Sequence, residues 1–331
     1  MEVGKRLLTF GTSPNNIYKN LWKILTMVIA KSTTLKAFAA LLLLSVLWGY
    51  NWVVMKYALL DAGPFQFGAM RTFLGALCLM AVMLVLKKPM RPREFPTLIL
   101  LGILQTCGFT GLLIWALVYG GAGKTAVLTY TMPFWVMVLA WPLLGEKIRG
   151  MQWIAVLASV IGLLLIFDPL HLGGDVFSMA LAILSGIFWA LAVIIAKKLH
   201  RKVPDIDLLS LTAWQMLMGS LPLVALAFMV DAPPIDWTPR LFAAITFNAV
   251  FCNALAWLLW LYALQKLAAG VASMTSMLAP LIGVLGAWVQ LGEKPTVIEL
   301  CGMAFIAVAL LIISIHTIRA HHQIEPAMGQ D

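Results

Sequence analysis

The sequence predicts an all-α membrane protein of ten transmembrane helices, which form two inverted five-helix repeats. Of the 331 residues, 62% are hydrophobic and only 11% are charged, whereas about 25% of the residues in a soluble globular domain are charged. Apolar runs of about 20 residues recur along most of the chain, and each run can cross the hydrocarbon core of a bilayer as a helix. The runs are continuously apolar and do not alternate, so they favour helices over a barrel.

One apolar segment occurs twice in the chain, and each copy ends in Leu-Gly-Glu-Lys. The first copy spans residues 121–147 and the second spans residues 268–294. Pro133 and Pro280 stand at the same place in the two copies, 147 residues apart. A doubled pattern of this kind predicts a duplicated fold.

The duplication extends over nearly the whole membrane part. Trp48 in the first span matches Trp189 in the sixth at an offset of 141, and Gly75 in the second span matches Gly219 in the seventh at an offset of 144. Each half therefore contains five spans, and an odd number of spans places the second half upside down relative to the first. Inverted repeats are typical of secondary transporters, whose substrate site is expected near the membrane midplane.

The repeats divide the chain into four parts. The ten spans are expected at residues 37–57, 65–86, 97–118, 124–144, 151–167, 178–196, 208–230, 240–262, 270–291 and 297–316. The expected domains are a basic cytoplasmic N-terminal extension, a first five-helix repeat, a second inverted repeat and a cytoplasmic tail, at residues 1–35, 36–167, 168–318 and 319–331.

The N-terminal extension contains an apolar run of ten residues from Leu21 to Ala30. The run is too short to span a bilayer, and one interpretation is an amphipathic helix that lies at the membrane interface. The alternative is that translation starts at Met27 and that the preceding residues are not part of the native protein. A cleaved signal peptide is disfavoured, because the next apolar run is of full length and nine more follow it.

The basic residues predict the orientation of the helices. Eighteen lysines and arginines fall in the termini and loops on one side of the predicted spans, and three fall on the other side. Because cytoplasmic loops are enriched in basic residues, both termini are expected in the cytoplasm and the protein in the inner (plasma) membrane. The net charge of +9 is explained by this topology and does not indicate binding to nucleic acid.

These features resemble those of the EamA-type drug/metabolite transporter superfamily over residues 36–318. The shared pattern is a tryptophan in the first span of each half (Trp48, Trp189) and a fourth span with small residues, a proline (Pro133, Pro280) and a Leu-Gly-Glu-Lys end. The resemblance implies a secondary carrier, often an exporter of amino acids, metabolites or drugs. It also implies a central cavity lined largely by spans 1, 3, 4, 6, 8 and 9.

Polar side chains at membrane depth are costly and tend to face protein or water, so they are the best candidates for a substrate site. Asn51 shares a helical face with Trp48, and Asn253 shares one with Trp257. The alternative is that the amides bond neighbouring helices and that the aromatic residues are interior packing. The predicted substrate-binding residues are Trp48, Asn51, Gln105, Tyr130, Trp189, Asn253 and Trp257.

Pro133 and Pro280 each remove one backbone hydrogen bond from a span and can kink it. Both are predicted to act as hinges or gates, because the proline recurs in both halves. The alternative is structural. Thr129 lies one turn before the first proline, and Ser273 and Ser276 lie on the stripe that leads to the second. These hydroxyls can bond the freed backbone groups.

Arg71 is the only charged residue clearly inside a predicted span, and its equivalent in the second repeat is Gln215. It is expected in the outer third of the second span. One interpretation is that its side chain extends to the membrane surface. The other is that it contacts an anionic group of the substrate.

Glu146 and Glu293 follow glycines that are expected to end the fourth and ninth spans. They are expected at the membrane interface, paired with Lys147, with Lys294 or with a neighbouring helix. Inversion of the second repeat places one glutamate on each side of the membrane. A further hypothesis is therefore that the two glutamates help to close opposite gates.

No carboxylate is expected near the midplane, because all fourteen acidic residues fall in loops, tails or span ends. The sequence therefore shows no obvious proton relay or sodium site, and it lacks a phosphate-binding loop for ATP. No cofactor is expected. No metal site is expected either, because the cysteines lack metal-ligand spacing. They are interpreted as buried packing residues at positions Cys78, Cys107, Cys252 and Cys301.

The combined prediction is a secondary transmembrane transporter that exports small amino-acid-like or amphipathic metabolites by alternating access. The expected partners are a small-molecule substrate and the lipid bilayer, and a monomer suffices because one chain supplies both halves. The alternatives are a channel, a structural membrane subunit or, less favoured, an intramembrane enzyme. An enzyme is disfavoured because the five histidines are scattered through loops and the C-terminal end.

Overall fold

The helices of this protein are defined by a computed structural model that describes residues 14–148, 150–167, 176–267 and 278–324. In chain order they are α1 (Pro14–Ala58), α2 (Pro64–Val85), α3 (Phe95–Leu101), α4 (Phe109–Tyr119), α5 (Ala122–Thr129), α6 (Met132–Leu144), α7 (Met151–Phe167), α8 (Val176–Lys202), α9 (Leu208–Met229), α10 (Pro239–Thr246), α11 (Ala256–Lys266), α12 (Leu278–Leu291) and α13 (Val297–Ile324). Two π-helical segments complete the set: π1 (Gly102–Gly108) joins α3 to α4, and π2 (Phe247–Leu255) joins α10 to α11.

Within the described ranges, seven helical stretches are long and apolar enough to cross a membrane. They are Leu35–Ala58, Pro64–Val85, Phe95–Tyr119, Ala122–Leu144, Val176–Lys202, Leu208–Met229 and Pro239–Lys266. Three shorter apolar helices are Met151–Ile166, Leu278–Leu291 and Val297–Ile313. The prediction of an all-helical, multi-pass membrane protein is therefore confirmed.

Helix α1 does not match the predicted interfacial helix in the N-terminal extension. It begins at Pro14 and continues without a break to Ala58, so residues 21–30 are the start of the same helix that forms the first span. The linking residues 31–36 contain neither glycine nor proline, so no strong helix breaker separates the two parts.

Equivalent helices of the two repeats make equivalent contacts. α2 packs along its counterpart α9, and α7 packs along its counterpart α13. α1 packs against α12 and α11. Its counterpart α8 packs against α6 and α4, which are the counterparts of α12 and α11. The two halves therefore interlock, because α1 packs against helices of the second repeat and α8 packs against helices of the first.

The contact between α7 and α13 is reciprocal. A β-carbon added at Gly162 would lie 2.8 Å from the carbonyl oxygen of Gly302, and one added at Gly302 would lie 2.8 Å from the carbonyl oxygen of Gly162. Each glycine also faces an isoleucine of the other helix, Ile306 and Ile166 respectively. These two helices cross so closely because neither carries a side chain at the crossing point.

The predicted fourth span is two helices rather than one kinked helix. α5 ends at Thr129 and α6 begins at Met132, so Pro133 lies in the first turn of α6, a position where its missing N–H costs little. The hydroxyl that bonds the backbone here is not that of Thr129. Instead, Thr131 Oγ1 donates to the carbonyl oxygen of Leu128 at 2.6 Å, while Thr129 Oγ1 lies 3.4 Å from Ser185 Oγ on α8.

Pro280 lies in α12, whose first described residue is Leu278. The rest of the predicted ninth span falls on residues 270–277, which lie outside the described ranges. Ser273 and Ser276 also lie there.

Both Leu-Gly-Glu-Lys ends adopt the same helix-terminating geometry. Gly145 and Gly292 each have φ of 71°, in the left-handed region that glycine occupies without strain. The amide N–H of each following glutamate donates to a carbonyl oxygen six residues back, Ala140 for Glu146 and Ala287 for Glu293, at 3.2 Å in both cases. A glycine in the left-handed region is a common helix terminator, and the geometry confirms that both glycines end their helices.

The two ends of the helix bundle carry different charged clusters, and we call them the Glu146 end and the Glu293 end. At the Glu146 end, Glu146 accepts from Lys197 Nζ at 2.6 Å and from Arg201 Nη2 at 2.9 Å. The predicted partner Lys147 is not used, because α8 brings two cations to the same carboxylate. These side chains are half exposed, so the ion pairs contribute little to stability.

At the Glu293 end, the α1–α2 loop is held by a buried carboxylate. The Asp61 side chain is only 2% exposed, and it accepts from Arg240 Nε at 2.8 Å, from Arg240 Nη2 at 2.5 Å and from Thr238 Oγ1 at 2.8 Å. The hydrogen bond from Arg240 holds the pKa of Asp61 below its ordinary value. Ionised Asp61 therefore ties the α1–α2 loop to the start of α10.

We expect Asp61→Asn to lower the thermal unfolding midpoint of the detergent-solubilised protein near pH 7. A carboxyl whose folded pKa is depressed stabilises the fold above its unfolded pKa, and this stabilisation is lost as the pH falls through the folded pKa. The deficit of the variant should therefore shrink at acid pH, as the pH falls below the ordinary aspartate pKa of about 3.9 toward the lowered pKa of folded Asp61. Asp231→Asn, in the α9–α10 loop and exposed, is the matched control. A deficit that is the same at neutral and at acid pH would contradict the proposed ion pair.

Candidate functional site

A central cavity of about 110 Å³ lies between elements of both repeats. It is bordered by α1, α2, π1, α4, the break between α5 and α6, α8, α9, π2 and α11. The structure brings together at this cavity all seven residues that the sequence analysis proposed as substrate-binding, and Arg71 with them. Pro133 lies outside its lining, and Pro280 is buried in α12.

Aromatic rings form one wall of the central cavity. Trp189 stacks on Trp257 with ring centroids 6.0 Å apart and an interplanar angle of 25°. Trp48 meets Trp257 edge to face at 6.0 Å, and Phe109 lies 4.7 Å from Trp189. The Trp48 indole N–H donates to the carbonyl oxygen of Cys252 at 3.0 Å, so this wall is held to π2. Such a surface can bind a flat apolar group.

The π segments place polar residues against the cavity from both halves. Gln105 lies in π1 and Asn253 in π2. The helix is wider in a π segment than in the flanking α-helices, so the side chains here do not follow the spacing of 3.6 residues that the sequence analysis assumed. Sequence analysis missed both segments, because no residue type marks them.

Two glycines leave the space into which these π segments pack. A β-carbon at Gly75 on α2 would overlap the side chain of Asn253 in π2, and one at Gly219 on α9 would overlap Gly102 and Thr106 in π1. The two glycines match in the internal repeat, so each repeat supplies the groove for the π segment of the other. Both π segments therefore pack against the opposite repeat, and each contributes residues to the cavity lining.

Arg71 is buried and faces the cavity, with an exposed fraction of 7%. Its Nη1 donates to Met55 Sδ at 2.7 Å, and its Nε has no hydrogen-bond partner in the part of the chain that the structure describes. The interpretation that this side chain extends to the membrane surface is therefore wrong, because α1 and π2 cover it. Its backbone carbonyl accepts from Asn253 Nδ2 at 2.9 Å, which anchors π2 to α2.

Asn51 also carries an unsatisfied group. Its side chain is 5% exposed and lines the cavity, yet Oδ1 has no hydrogen-bond partner among the described residues. Asn248 lies away from the cavity. Its Nδ2 donates to the carbonyl oxygen of Ala244 at 3.0 Å, and its Oδ1, like that of Asn51, has no hydrogen-bond partner among the described residues. The two asparagines therefore differ in their position relative to the cavity and not in carrying an unsatisfied oxygen.

Sequence reasoning missed several lining residues. Gln215 is buried at the cavity wall, and its match to Arg71 in the internal repeat was a signal that could have identified it. The missed threonines resemble ordinary helix residues, since Thr72 donates to the carbonyl oxygen of its own helix at Gly68. The lining residues outside the predicted substrate-binding set are Trp52, Met55, Thr72, Thr106, Phe109, Thr110, Leu113, Thr129, Met132, Gln215, Met216 and Cys252.

The cysteines differ from their predicted common role. All four are free thiols, but only Cys252 is buried, and Cys301 is exposed on the outer face of α13. The prediction of four buried packing residues is therefore wrong for Cys301, because an apolar run in a membrane helix has a lipid-facing side as well as an interior side. Within the described ranges, no group of three or more His, Cys, Asp or Glu residues is arranged to hold a metal ion.

A second cavity of about 470 Å³ extends from the central cavity toward the Glu146 end, and we call it the vestibule. Its lining includes Pro133, Trp260, Glu146 and Lys147. The vestibule and the central cavity share five lining residues, namely Trp48, Tyr130, Met132, Trp189 and Trp257. The central cavity is therefore approached from the Glu146 end.

The Glu293 end is closed by contacts between the repeats. Glu293 accepts from the backbone N–H groups of Ala122 at 2.9 Å and Gly123 at 3.0 Å, at the start of α5. It does not use the predicted partner Lys294, because the unpaired N–H groups of a helix start attract a carboxylate. Lys124 pairs with Glu299 at 2.5 Å beside this contact.

Lys56 adds a further link at the Glu293 end. Its Nζ donates to the carbonyl oxygens of Leu117 at 2.6 Å and Gly120 at 2.8 Å. These are orphan carbonyls at the end of α4. The lysine therefore holds the end of α1 against the end of α4.

Apolar helices that surround a cavity of amides, aromatic rings and one arginine define a multi-pass membrane protein with an internal site for a solute. The sequence model of the EamA-like transporter family matches residues 35–168 and, a second time, residues 176–315. The chain therefore belongs to the EamA-like transporter family, and it is a membrane transporter that carries the family domain twice.

Known relatives agree with this assignment. "Uncharacterized transporter YoaV" of Bacillus subtilis (strain 168) is 27% identical over 283 residues, which cover 84% of this chain and 96% of the relative. "Probable amino-acid metabolite efflux pump" of Salmonella typhimurium (strain LT2) is 27% identical over 284 residues, which cover 82% of this chain and 92% of the relative. These relatives and the family are transporters and not enzymes.

A solved crystal structure has a similar fold, with a TM-score of 0.61 at 17% sequence identity. The match covers 88% of this chain and 99% of that one. The arrangement of helices is therefore shared with an experimentally determined protein.

Proposed function

We propose that the protein is a secondary transporter that exports small amphipathic or amino-acid-like metabolites across the inner (plasma) membrane by alternating access. The observation that carries this proposal is the central cavity, which is bordered by both repeats, approached from the Glu146 end and closed at the Glu293 end. A carrier needs a site that opens to one side at a time. One open end and one closed end favour a carrier over a channel.

The proposed architecture is ten spans in two inverted five-span repeats, at residues 36–167 and 168–318, with an extension at 1–35 and a tail at 319–331. The reciprocal crossing of Gly162 and Gly302 supports inversion, because such a contact arises when a two-fold axis relates the helices. The basic loops at the Glu146 end support a cytoplasmic location for that end and for both termini. The conformation described here is then open to the cytoplasm.

In this proposal the aromatic wall binds the apolar part of the substrate, and the amides Asn51, Gln105 and Asn253 bind its polar part, with Arg71 as an anion contact. The break between α5 and α6 gives the first half a joint at Pro133, and Pro280 is its counterpart in the second half. Rocking of the halves about these joints would close the vestibule and separate Glu293 from α5. One chain provides all of these parts, so a monomer suffices.

Export of metabolites is supported by the similarity to the Salmonella protein, which is named as an amino-acid metabolite efflux pump. The test compares metabolites outside cells that overproduce the parent with those outside cells that produce Asn51→Leu at the same level. Asn51 Oδ1 has no hydrogen-bond partner among the described residues, so the substitution removes a cavity contact without breaking a hydrogen bond within that part of the chain. We expect one chemical class to accumulate outside with the parent and to fall by about tenfold with the variant.

Asn248→Leu is the matched control, because it makes the same change at a buried asparagine outside the cavity. It should export as the parent does, after correction for the amount of folded protein. If parent and empty-vector cells show the same external metabolites, export is contradicted. If Asn51→Leu and Asn248→Leu fall equally, the cavity assignment is contradicted.

A further inference from the structure

The central cavity contains an uncompensated positive charge. Arg71 is 7% exposed, and its Nε has no hydrogen-bond partner. Within the described ranges it has no ion pair, and no aspartate or glutamate is among the residues that line the cavity. A buried charge without a partner is strongly unfavourable, and charged residues at membrane depth usually mark the path of a solute.

The geometry of Arg71 favours a carboxylate as the missing partner. Nη1 donates to Met55 Sδ, and Nε, on the other edge of the guanidinium, is buried without a hydrogen-bond partner among the described residues. That edge presents parallel N–H donors that match the two oxygens of a carboxylate. A single cation neutralises one negative charge, so the complementary ligand group is a monoanion rather than a dianionic phosphate.

The rest of the lining limits the net charge of the ligand. A zwitterion would bring an ammonium group as well, and the lining offers no carboxylate to receive it. A ligand with a net charge of −1 makes the filled cavity neutral, whereas a zwitterion leaves the charge of Arg71 uncompensated. In a medium of low dielectric constant this difference is large.

Two further features describe the remainder of the ligand. Asn51 Oδ1 is an unpartnered acceptor, 5% exposed, in the same lining, so it requires an uncharged donor such as a hydroxyl or an amide N–H. The stacked rings of Trp189 and Trp257, with Phe109 beside them, offer a surface for a flat apolar body.

Resting on the proposed transport function, we propose that the substrate is a monoanionic carboxylate with an apolar, preferably aromatic, body and one uncharged hydrogen-bond donor. Arg71 binds the carboxylate, and Asn51 accepts the hydrogen bond. The site thus selects net anions over zwitterions of the same shape.

The test measures binding of a matched ligand series to the purified full-length protein in detergent, by quenching of tryptophan fluorescence. The central cavity itself contains four tryptophans, at positions 48, 52, 189 and 257. The ligands share a phenylpropyl body and differ in charge: 3-phenyllactate is an anion with a hydroxyl, phenylalanine is a zwitterion, and 3-phenylpropanol is neutral. We expect 3-phenyllactate to bind about tenfold or more tightly than either of the others.

Arg71→Gln should abolish this preference by weakening 3-phenyllactate about tenfold or more while leaving 3-phenylpropanol unchanged. Glutamine is the residue at the equivalent position of the second repeat, Gln215, where it is accommodated at the same cavity. Arg71→Lys keeps the charge but loses the paired donors, so it should retain a weaker preference for the anion. Asn51→Leu should weaken 3-phenyllactate but not 3-phenylpropionate, which lacks the hydroxyl.

Equal binding of phenylalanine and 3-phenyllactate overturns the proposal, as does an anion preference that survives in Arg71→Gln. Failure of every compound in the series to bind also overturns it. Binding is measured without transport, so these outcomes leave the export experiment to decide the proposed function. Conversely, selective anion binding together with an unchanged external metabolite profile would support this inference and contradict export.

Discussion

Replacing Glu293 with glutamine is expected to open the Glu293 end of the central cavity. The Glu293 carboxylate accepts two hydrogen bonds, from the N–H groups of Ala122 and Gly123 at 2.9 and 3.0 Å. These groups form the positive end of the α5 dipole, so the bonds are charge-assisted. Glutamine keeps one acceptor oxygen but loses the negative charge and the second hydrogen bond, so the closed state should weaken by about 2 kcal/mol, roughly thirty-fold in the ratio of closed to open molecules.

The change is measured with a single reporter cysteine at position 110, introduced as Thr110→Cys in a background where the four native cysteines are serine. Thr110 lines the central cavity. A membrane-impermeant thiol reagent is applied to each face of the membrane in turn. In the parent the reporter should react from the face at the Glu146 end, and in Glu293→Gln it should also react from the opposite face.

Glu94→Gln is the matched control for this experiment. Glu94 is ion-paired to Lys202 at 2.9 Å, but it lies at the Glu146 end and outside both cavities. Its replacement should leave labelling from both faces unchanged. Identical labelling of Glu293→Gln and the parent would show that the contact with α5 does not hold this end closed.

Replacing Gly162 with alanine is expected to destabilise the folded protein substantially. The added β-carbon would lie 2.8 Å from the carbonyl oxygen of Gly302 and 2.7 Å from Ile306 Cγ1, so α7 and α13 must move apart. Overpacking of this kind costs about 1–3 kcal/mol, which outweighs the gain in helix propensity from glycine to alanine. We expect a lower thermal unfolding midpoint in detergent and less monodisperse protein.

Gly302→Ala should lower the midpoint by a similar amount, because the two glycines face each other reciprocally. Gly68→Ala is the control: its β-carbon would come no closer than 3.4 Å, to Ile114 Cδ1, so the midpoint should be unchanged or slightly raised. A large loss in Gly162→Ala with none in Gly302→Ala would argue against a shared crossing point.

The sequence predicted which residues meet at the central cavity better than it predicted how they meet. Asn51 and Asn253 were identifiable because polar side chains inside apolar runs are rare, and Trp48 because it recurs as Trp189 in the second half. The π segments were not identifiable, since their residues are ordinary helix residues; in the fold they pack against Gly75 and Gly219. The location of the Arg71 side chain could not be predicted from the sequence either, because its position in the second span is compatible with both a membrane-surface and a cavity location.

The sequence alone determined that the chain is helical and membrane-spanning, because hydrocarbon permits only segments that satisfy their own backbone hydrogen bonds. Its duplication also indicated that two similar halves build one site. Only the tertiary structure decided which end of that site is open. The two Leu-Gly-Glu-Lys ends are alike in sequence and in local geometry, but Glu293 contacts the start of α5 whereas Glu146 contacts Lys197 and Arg201. This asymmetry follows from long-range contacts, which the matching local sequences of the two ends do not specify.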